Sequence, residues 1–261
     1  MAAVLKNAAR ERLDAGELAL GVILRQARTV DVAPAMKACG YDWLFLDLEH
    51  NSMDLDVAVQ IAVGALGAGI APVARVPAGQ LWLATRFLDG GGLGIVVPHV
   101  DTPDEARRIA QALRYPPLGH RSVAGGLPHF GYNPVGLAET CAAINDATLV
   151  IVMLETPTAI ANADAIAAVP GIDSLLIGTN DLAMELGIPG SFGDARIAAA
   201  YQSVCDACRK HGKFAGIGGI TEEALLRRYI AMGVRVVLPG SDLSFMMTAA
   251  SERAAVMRGC L

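Results

Sequence analysis

Aromatic residues are scarce in this chain, at 5%, and charged residues are few, at 18%. With so little charge and 53% hydrophobic residues, the chain is not a disordered one and can bury a large core. Its 28 glycines and abundant alanines, in place of aromatics, fit close helix-on-sheet packing better than a β-sandwich. Basic residues form no run and the net charge is −5, which argues against a nucleic-acid partner. A metal ion is compatible with that charge, although the charge alone does not argue for one.

Cysteine is also sparse: Cys39, Cys141, Cys205, Cys208 and Cys260. An odd, scattered set excludes a disulfide framework and favours a reducing cytoplasm. Cys205-Asp-Ala-Cys208 has the CxxC form, but it lies within the long helical stretch Asp194–His211 and has no second pair to complete a zinc site. It reads as two helix cysteines. Residues Met1–Leu13 lack an apolar run and do not form a secretory signal. The apolar stretch Val57–Ala74 is interrupted by Gln60, three glycines and Pro72, so it reads as a buried helix to about Leu66, a turn and a strand, not a membrane span. No nucleotide-binding glycine fingerprint opens the chain, and no repeat or linker is evident. A doubly wound open sheet is therefore the second choice of fold.

What is present is an alternation of short apolar runs with helical patterns. The expected strands are Ala19–Leu24, Trp43–Asp47, Pro72–Val76, Leu93–Val97, Thr148–Glu155, Ser174–Ile177, Lys213–Ile217 and Arg235–Leu238. Asp54 precedes one helix, Thr102-Pro103-Asp104-Glu105 opens another, and Thr221-Glu222-Glu223 opens a third that Gly233 ends. Several strands are apolar throughout, as parallel strands covered on both faces are. Eight such units over 261 residues predict a single-domain α/β protein, a (β/α)8 barrel spanning residues 1–261. The longest irregular stretch is Tyr115–Asn133.

The top-face loops of such a barrel hold its chemistry, so the polar residues that end each strand are the candidates. Glu155 follows Ile151 and Met153 at period two and should face inward with them. An inward carboxylate must be paired or bound to a cation. Asp181 sits one strand over. Together they form a hard-cation site, for Mg²⁺ or Mn²⁺ first, with Co²⁺ or Zn²⁺ also accommodated. The structural alternatives are a salt bridge for Glu155 and a plain helix N-cap for Asp181. Arg75 should reach the barrel mouth, there to hold a carboxylate or enolate, or else to pair with Asp47 or Glu49. His50, oriented by Asp47 or Glu49, would make a base near neutral pH. The backbone N–H groups of the Gly178-Thr179-Asn180-Asp181 turn can hold a substrate carboxylate.

Six segments taken together resemble the HpcH/HpaI aldolases, the class II pyruvate-dependent family. They are YDWLFLDLEH (Tyr41–His50), PVARVP (Pro72–Pro77), LDGGGLGIVVPHV (Leu88–Val100), RYPPLGHRS (Arg114–Ser122), MLET (Met153–Thr156) and IGTNDLAMELG (Ile177–Gly187). Their order and spacing match over roughly residues 17–250. The resemblance implies a barrel of the phosphoenolpyruvate/pyruvate type and a divalent metal on Glu155 and Asp181. The implied reaction is cleavage of a 4-hydroxy-2-oxo acid to pyruvate, or a related 2-oxo acid, and an aldehyde. Arg75 would hold the keto oxygen, His50 with Asp47 would form a proton-handling dyad, and the Asn180 and Asp181 amides would contact the pyruvate carboxylate. The relatives also imply a homo-oligomer, a hexamer built as a trimer of dimers, with C-terminal helices exchanged between subunits; Leu243–Met257 is the candidate segment. No organic cofactor is implied.

Two residues depart from the family pattern. Met153 stands where many relatives carry a Gln that touches metal-bound water or the keto oxygen, and a thioether is a poor partner for either. Gly218, in the Gly216-Ile-Gly218-Gly219 end of strand 7, predicts a roomier aldehyde pocket. Arg121 is expected either to hold a distal group of the substrate or to brace its loop. None of Lys6, Lys37, Lys210 and Lys213 is placed for a Schiff base. The rival readings are an acyl-CoA lyase of the malyl or citramalyl type, which usually carries a longer C-terminal lid, a phosphate-binding barrel lyase or isomerase, and a non-catalytic metal-binding barrel.

Overall fold

A computed structural model describes residues 5–260; residues 1–4 and 261 of the expected domain lie outside it. The eight strands are β1 (Ala19–Leu24), β2 (Trp43–Asp47), β3 (Ala71–Arg75), β4 (Gly94–Val97), β5 (Leu149–Leu154), β6 (Ser174–Gly178), β7 (Phe214–Gly218) and β8 (Val234–Val237). Every neighbouring pair is parallel, and β8 pairs with β1 to close the barrel. Each expected strand end falls within one residue of the observed one. The differences arise at ends where ladder pairing stops while the apolar run continues.

Two layers of apolar side chains follow from the two faces of each strand. Leu149, Ile151 and Met153 of β5 fill the interior with Trp43, Phe45, Val73, Val96 and Leu176. Val150, Val152 and Leu154 face outward into the layer beneath the helices. The period-two reading of β5 therefore holds. Gly21 is required on the inside, because a Cβ there would lie 2.3 Å from the Trp43 ring.

The helices in chain order are α1 (Ala8–Asp14), α2 (Val32–Ala38), α3 (Leu55–Ala68), α4 (Leu81–Asp89), α5 (Pro103–Leu113), α6 (Leu137–Ala147), α7 (Pro157–Ala161), α8 (Ala163–Ala167), α9 (Thr179–Glu185), α10 (Ala195–His211), α11 (Glu223–Met232) and α12 (Asp242–Arg258). Their local signals act as expected. Asp54 accepts from Val57 N at 2.9 Å, and Thr102 and Glu105 form a reciprocal capping box before α5. α3 ends at Gly69, whose φ of +69° is left-handed. Cys205 and Cys208 are buried on α10, unpaired, and burial lifts their thiols to about 11 and about 12, so both stay protonated and inert.

α1 has no counterpart in the sequence reading. It plugs the N-terminal end of the barrel with Ala9 and Leu13, and buried Asn7 donates to the carbonyls of Leu93 and Ala147 at 3.0 and 2.7 Å. The opposite end stays open. Among the described residues, no helix is long and apolar enough to cross a membrane, and Val57–Ala74 is divided between α3 and β3.

Candidate active site

The open, C-terminal end of the barrel holds a cavity of about 470 Å³, within the size range of small-molecule sites. Its wall includes Asp47, His50, Arg75, Met153, Gly178, Thr179, Asn180, Asp181 and Gly218, so nearly every residue singled out by strand position converges there.

Glu155 follows the last residue of β5 and is 1% exposed. Its Oε2 accepts from the backbone N–H of His99 at 2.8 Å and lies 3.2 Å from His99 Nδ1. Its Oε1 faces Gly178, where a Cβ would come within 2.5 Å. Glycine at 178 is thus the space into which the second carboxylate oxygen fits. Burial raises the Glu155 pKa. The backbone hydrogen bond and charge of His99 oppose that rise, and the nearby charge of Asp181 adds to it. Asp181, in the first turn of α9, is exposed to the cavity.

Two carboxylates that repel each other across a pocket wall form a donor set that a divalent cation would relieve. Among the described residues no group of three or more His, Cys, Asp or Glu side chains forms a protein-only metal cage. That donor set fits a Mg²⁺-like ion, which takes one or two carboxylates and fills its other positions with substrate and water.

Arg75 ends β3, directly beside Asp47 at the end of β2. Its Nε and Nη2 donate to the two Asp47 oxygens at 3.0 and 2.7 Å, and its Nη1 lies 3.3 Å from Glu49. The guanidinium also stands 5.3 Å from the Phe45 ring centroid. The pair is buried and forked, so Arg75 is held rigidly. Burial pushes the Asp47 pKa up, but Arg75 and the amides of His50 and Glu49 outweigh it and bring the carboxyl below its usual range.

This arrangement corrects the expected His50–Asp47 dyad. Asp47 spends its carboxylate on Arg75 and receives only the backbone N–H of His50, at 3.3 Å. The His50 ring is 59% exposed, with Glu49 its nearest acid at 3.8 Å. β2 ends at Asp47, and beyond it strand alternation no longer directs the side chain, so spacing left Asp47 and Glu49 both open as partners of the ring; the pairing with Asp47 came from the family resemblance, and the ring stands beside Glu49.

Of the two readings of Arg121, the structure favours the brace. Arg121 lies outside the cavity: its buried guanidinium pairs with Asp89 at 2.6 Å and stacks 4.6 Å from the Tyr115 ring, so it braces the loop after α5 and does not reach the barrel mouth. Thr179 is in the cavity wall, but its hydroxyl is engaged by Tyr201 Oη and the Gly218 carbonyl, both at 2.8 Å. Gly218 does leave room, since a Cβ there would make only ordinary contacts, 3.5 Å from Leu176 and 3.7 Å from Leu238. His99 was visible in the sequence only as the polar end of strand 4. Its φ of +54° is uncommon for a residue with a Cβ. None of the lysines lines the cavity, and Lys213 is tied to the Ile172 carbonyl at 2.7 Å.

An eight-stranded parallel barrel with a carboxylate–guanidinium cavity at its C-terminal end defines a barrel enzyme, with its chemistry at the strand ends. The family model described as HpcH/HpaI aldolase/citrate lyase matches residues 24–249. The chain belongs to that family, whose members are metal-dependent aldolases and lyases, and it is a lyase. It is 35% identical over 253 residues to a 4-hydroxy-4-methyl-2-oxoglutarate aldolase of Hapsidospora irregularis, covering 95% of this chain and 93% of the other. It is 33% identical to a hydroxypyruvate/pyruvate aldolase of Roseovarius nubinhibens, covering 97% of each chain. A crystal structure of an HpcH/HpaI aldolase from Desulfitobacterium hafniense superposes with a TM-score of 0.90 at 25% identity, covering 95% and 96% of the two chains.

Proposed function

We propose that this enzyme cleaves a 4-hydroxy-2-oxo acid into pyruvate, or a related 2-oxo acid, and an aldehyde or other carbonyl compound, using a divalent metal held by Glu155 and Asp181. The observation that carries this reading is the buried Glu155 carboxylate, with one oxygen clamped by His99 and the other packed on Gly178, directly behind the wall of the cavity that Asp181 and Arg75 line. Mg²⁺ and Mn²⁺ suit two carboxylates best, and Co²⁺ or Zn²⁺ would be accepted. Bound there, the ion would supply Lewis-acid polarisation of the keto oxygen.

The chain's own residues do the rest. Arg75, held in place by Asp47, shares the negative charge that develops on the enolate oxygen. The amides of Asn180 and Asp181 receive the carboxylate of the 2-oxo acid. His50, exposed to the cavity beside Glu49, takes the 4-hydroxyl proton directly or through water. Met153 offers no polar contact, so water replaces the amide that many relatives have there. Gly218 opens space for the carbonyl product.

The protein is further proposed to act as a homo-oligomer in the cytoplasm. α12 runs for 17 residues without one buried residue, exposing Met246, Met247, Val256 and Met257. A helix with that surface gains by packing against a second copy of the chain, in keeping with a hexamer of exchanged C-terminal helices. The test of the reaction is release of pyruvate from 4-hydroxy-2-oxo acids before and after complete metal removal. Turnover should vanish with chelation and return with Mg²⁺ or Mn²⁺; activity that persists without metal overturns the reading.

A further inference from the structure

Glu155 and Asp181 come from different strand ends and are held in different ways. Glu155 is buried and clamped by His99. Asp181 is exposed, on a short helix whose N-cap residue, Gly178, offers no side-chain cap. The place of Asp181 therefore depends on what holds the Gly178–Asp181 turn from outside. A hydrogen-bond chain does so from behind the cavity wall. Thr179 Oγ1 donates to the Gly218 carbonyl at 2.8 Å and lies 2.8 Å from Tyr201 Oη. The Thr179 hydroxyl has one proton and a carbonyl can only accept it, so Tyr201 is the donor to Thr179. Both side chains are fully buried. Burial also pushes the Tyr201 pKa up, which keeps its hydroxyl protonated. Tyr201 stands on α10, in the apolar layer outside the barrel, and the Tyr229 ring of α11 stacks behind it with centroids 4.0 Å apart. A second contact joins the same two strand ends: Asn180 lies over Gly219, where a Cβ would come within 2.7 Å of its Nδ2.

We propose that Tyr201 is a positioning residue for the cleavage: through Thr179, its hydroxyl fixes the turn that carries Asp181 against the end of β7. This inference rests on the metal-dependent aldolase reading of the same cavity. Tyr201 is not part of the cavity wall and touches no reacting atom. It acts on two features of the site at once. On one side, the tether sets where the Asp181 carboxylate stands relative to the clamped Glu155, and so the gap that a divalent ion must span. On the other, it holds the peptide of Gly218, which borders the space for the carbonyl product. The metal half and the product half of the cavity thereby keep one spacing. Groups that brace metal ligands from behind govern how tightly the ion is held and how well it is oriented. A phenylalanine at 201 would fill the same space but leave the Thr179 hydroxyl tied at one end only.

The experiment removes single hydroxyls and reads Mn²⁺ affinity by calorimetry, together with kcat for a 4-hydroxy-2-oxo acid at saturating Mn²⁺. Tyr201→Phe keeps the stacked ring, so it should fold. It should weaken Mn²⁺ binding by about tenfold and lower kcat by a similar factor, the low end of the loss expected when the brace of a metal ligand is removed. Thr179→Val should do at least as much, whereas Thr179→Ser, which keeps the hydroxyl, should retain most of the affinity. The double variant should be no worse than Thr179→Val alone, because both changes break one chain. Tyr229→Phe is the control. It keeps the ring behind Tyr201 and loses only the hydroxyl that donates to the Phe192 carbonyl at 2.8 Å. It should lower the denaturation midpoint yet leave Mn²⁺ affinity and kcat at the parent's values. Parental Mn²⁺ affinity in Tyr201→Phe, or equal weakening by Tyr229→Phe, would overturn the positioning role alone. A parent protein that neither binds Mn²⁺ nor cleaves any such acid would overturn the aldolase reading and the positioning role with it.

Discussion

Gly178→Ala is the sharpest probe of the carboxylate cradle. The backbone at Gly178, with φ −82° and ψ 88°, suits an alanine, so any effect comes from the added methyl. That methyl would stand 2.5 Å from Glu155 Oε1, 2.7 Å from Cγ and 3.0 Å from Cδ. Ordinary contact begins near 3.4 Å, so the carboxylate must yield by roughly 1 Å. It cannot swing freely, because the His99 amide holds Oε2 at 2.8 Å. Overpacking a rigid wall of this kind costs about 1–3 kcal/mol of stability. A displacement of about 1 Å in a catalytic group costs on the order of 100-fold in rate. We therefore expect Gly178→Ala to keep its circular dichroism spectrum, lower the denaturation midpoint modestly, weaken Mn²⁺ binding in calorimetry and reduce kcat/KM by about 100-fold. Native Mn²⁺ affinity and turnover within a few-fold of the parent would refute the claim that Oε1 is the oxygen presented to the metal.

Asp47→Asn should remove an acid-dependent part of stability. The folded pKa of Asp47 lies below the unfolded value, so its contribution is fully present above the usual aspartate range and is lost as pH falls through the depressed value. Urea midpoints of parent and variant should converge only in that acidic window, and a constant gap at every pH would contradict it. His50→Ala should slow aldol cleavage more than it slows solvent exchange of the pyruvate C3 protons, measured by NMR; equal losses would reassign the base. Met246→Glu with Met247→Glu should shift the sedimentation coefficient to smaller species while leaving the secondary structure of the barrel intact, and an unchanged assembly would show that α12 does not join subunits.

The barrel was legible because its signals are local. Alternation along Ile151, Met153 and Glu155, the Thr102–Glu105 capping box and the glycine at 69 each depend on residues a few positions apart, and each acts in the structure as its local chemistry dictates. The strand ends also placed Asp181 and Arg75 in one cavity wall, with Glu155 just behind it against Gly178, since a closed parallel barrel delivers every strand end to the same face. Partner choice was not legible. Sequence proximity left Asp47 open to His50 or to Arg75, and the family resemblance joined it to His50, whereas the β2–β3 register sets Arg75 directly beside Asp47 and gives the carboxylate to the stronger, forked donor. Arg121 looked equally suited to substrate or scaffold until the chain path placed it against Asp89 and Tyr115. The role of His99 as the clamp on Glu155 arises from contacts between strands far apart in sequence. The sequence by itself determined the barrel and the strand-end chemistry, because periodicity and capping are properties of neighbours along the chain. Only the tertiary structure decided which charges meet and which stay free, because pairing depends on register and closure.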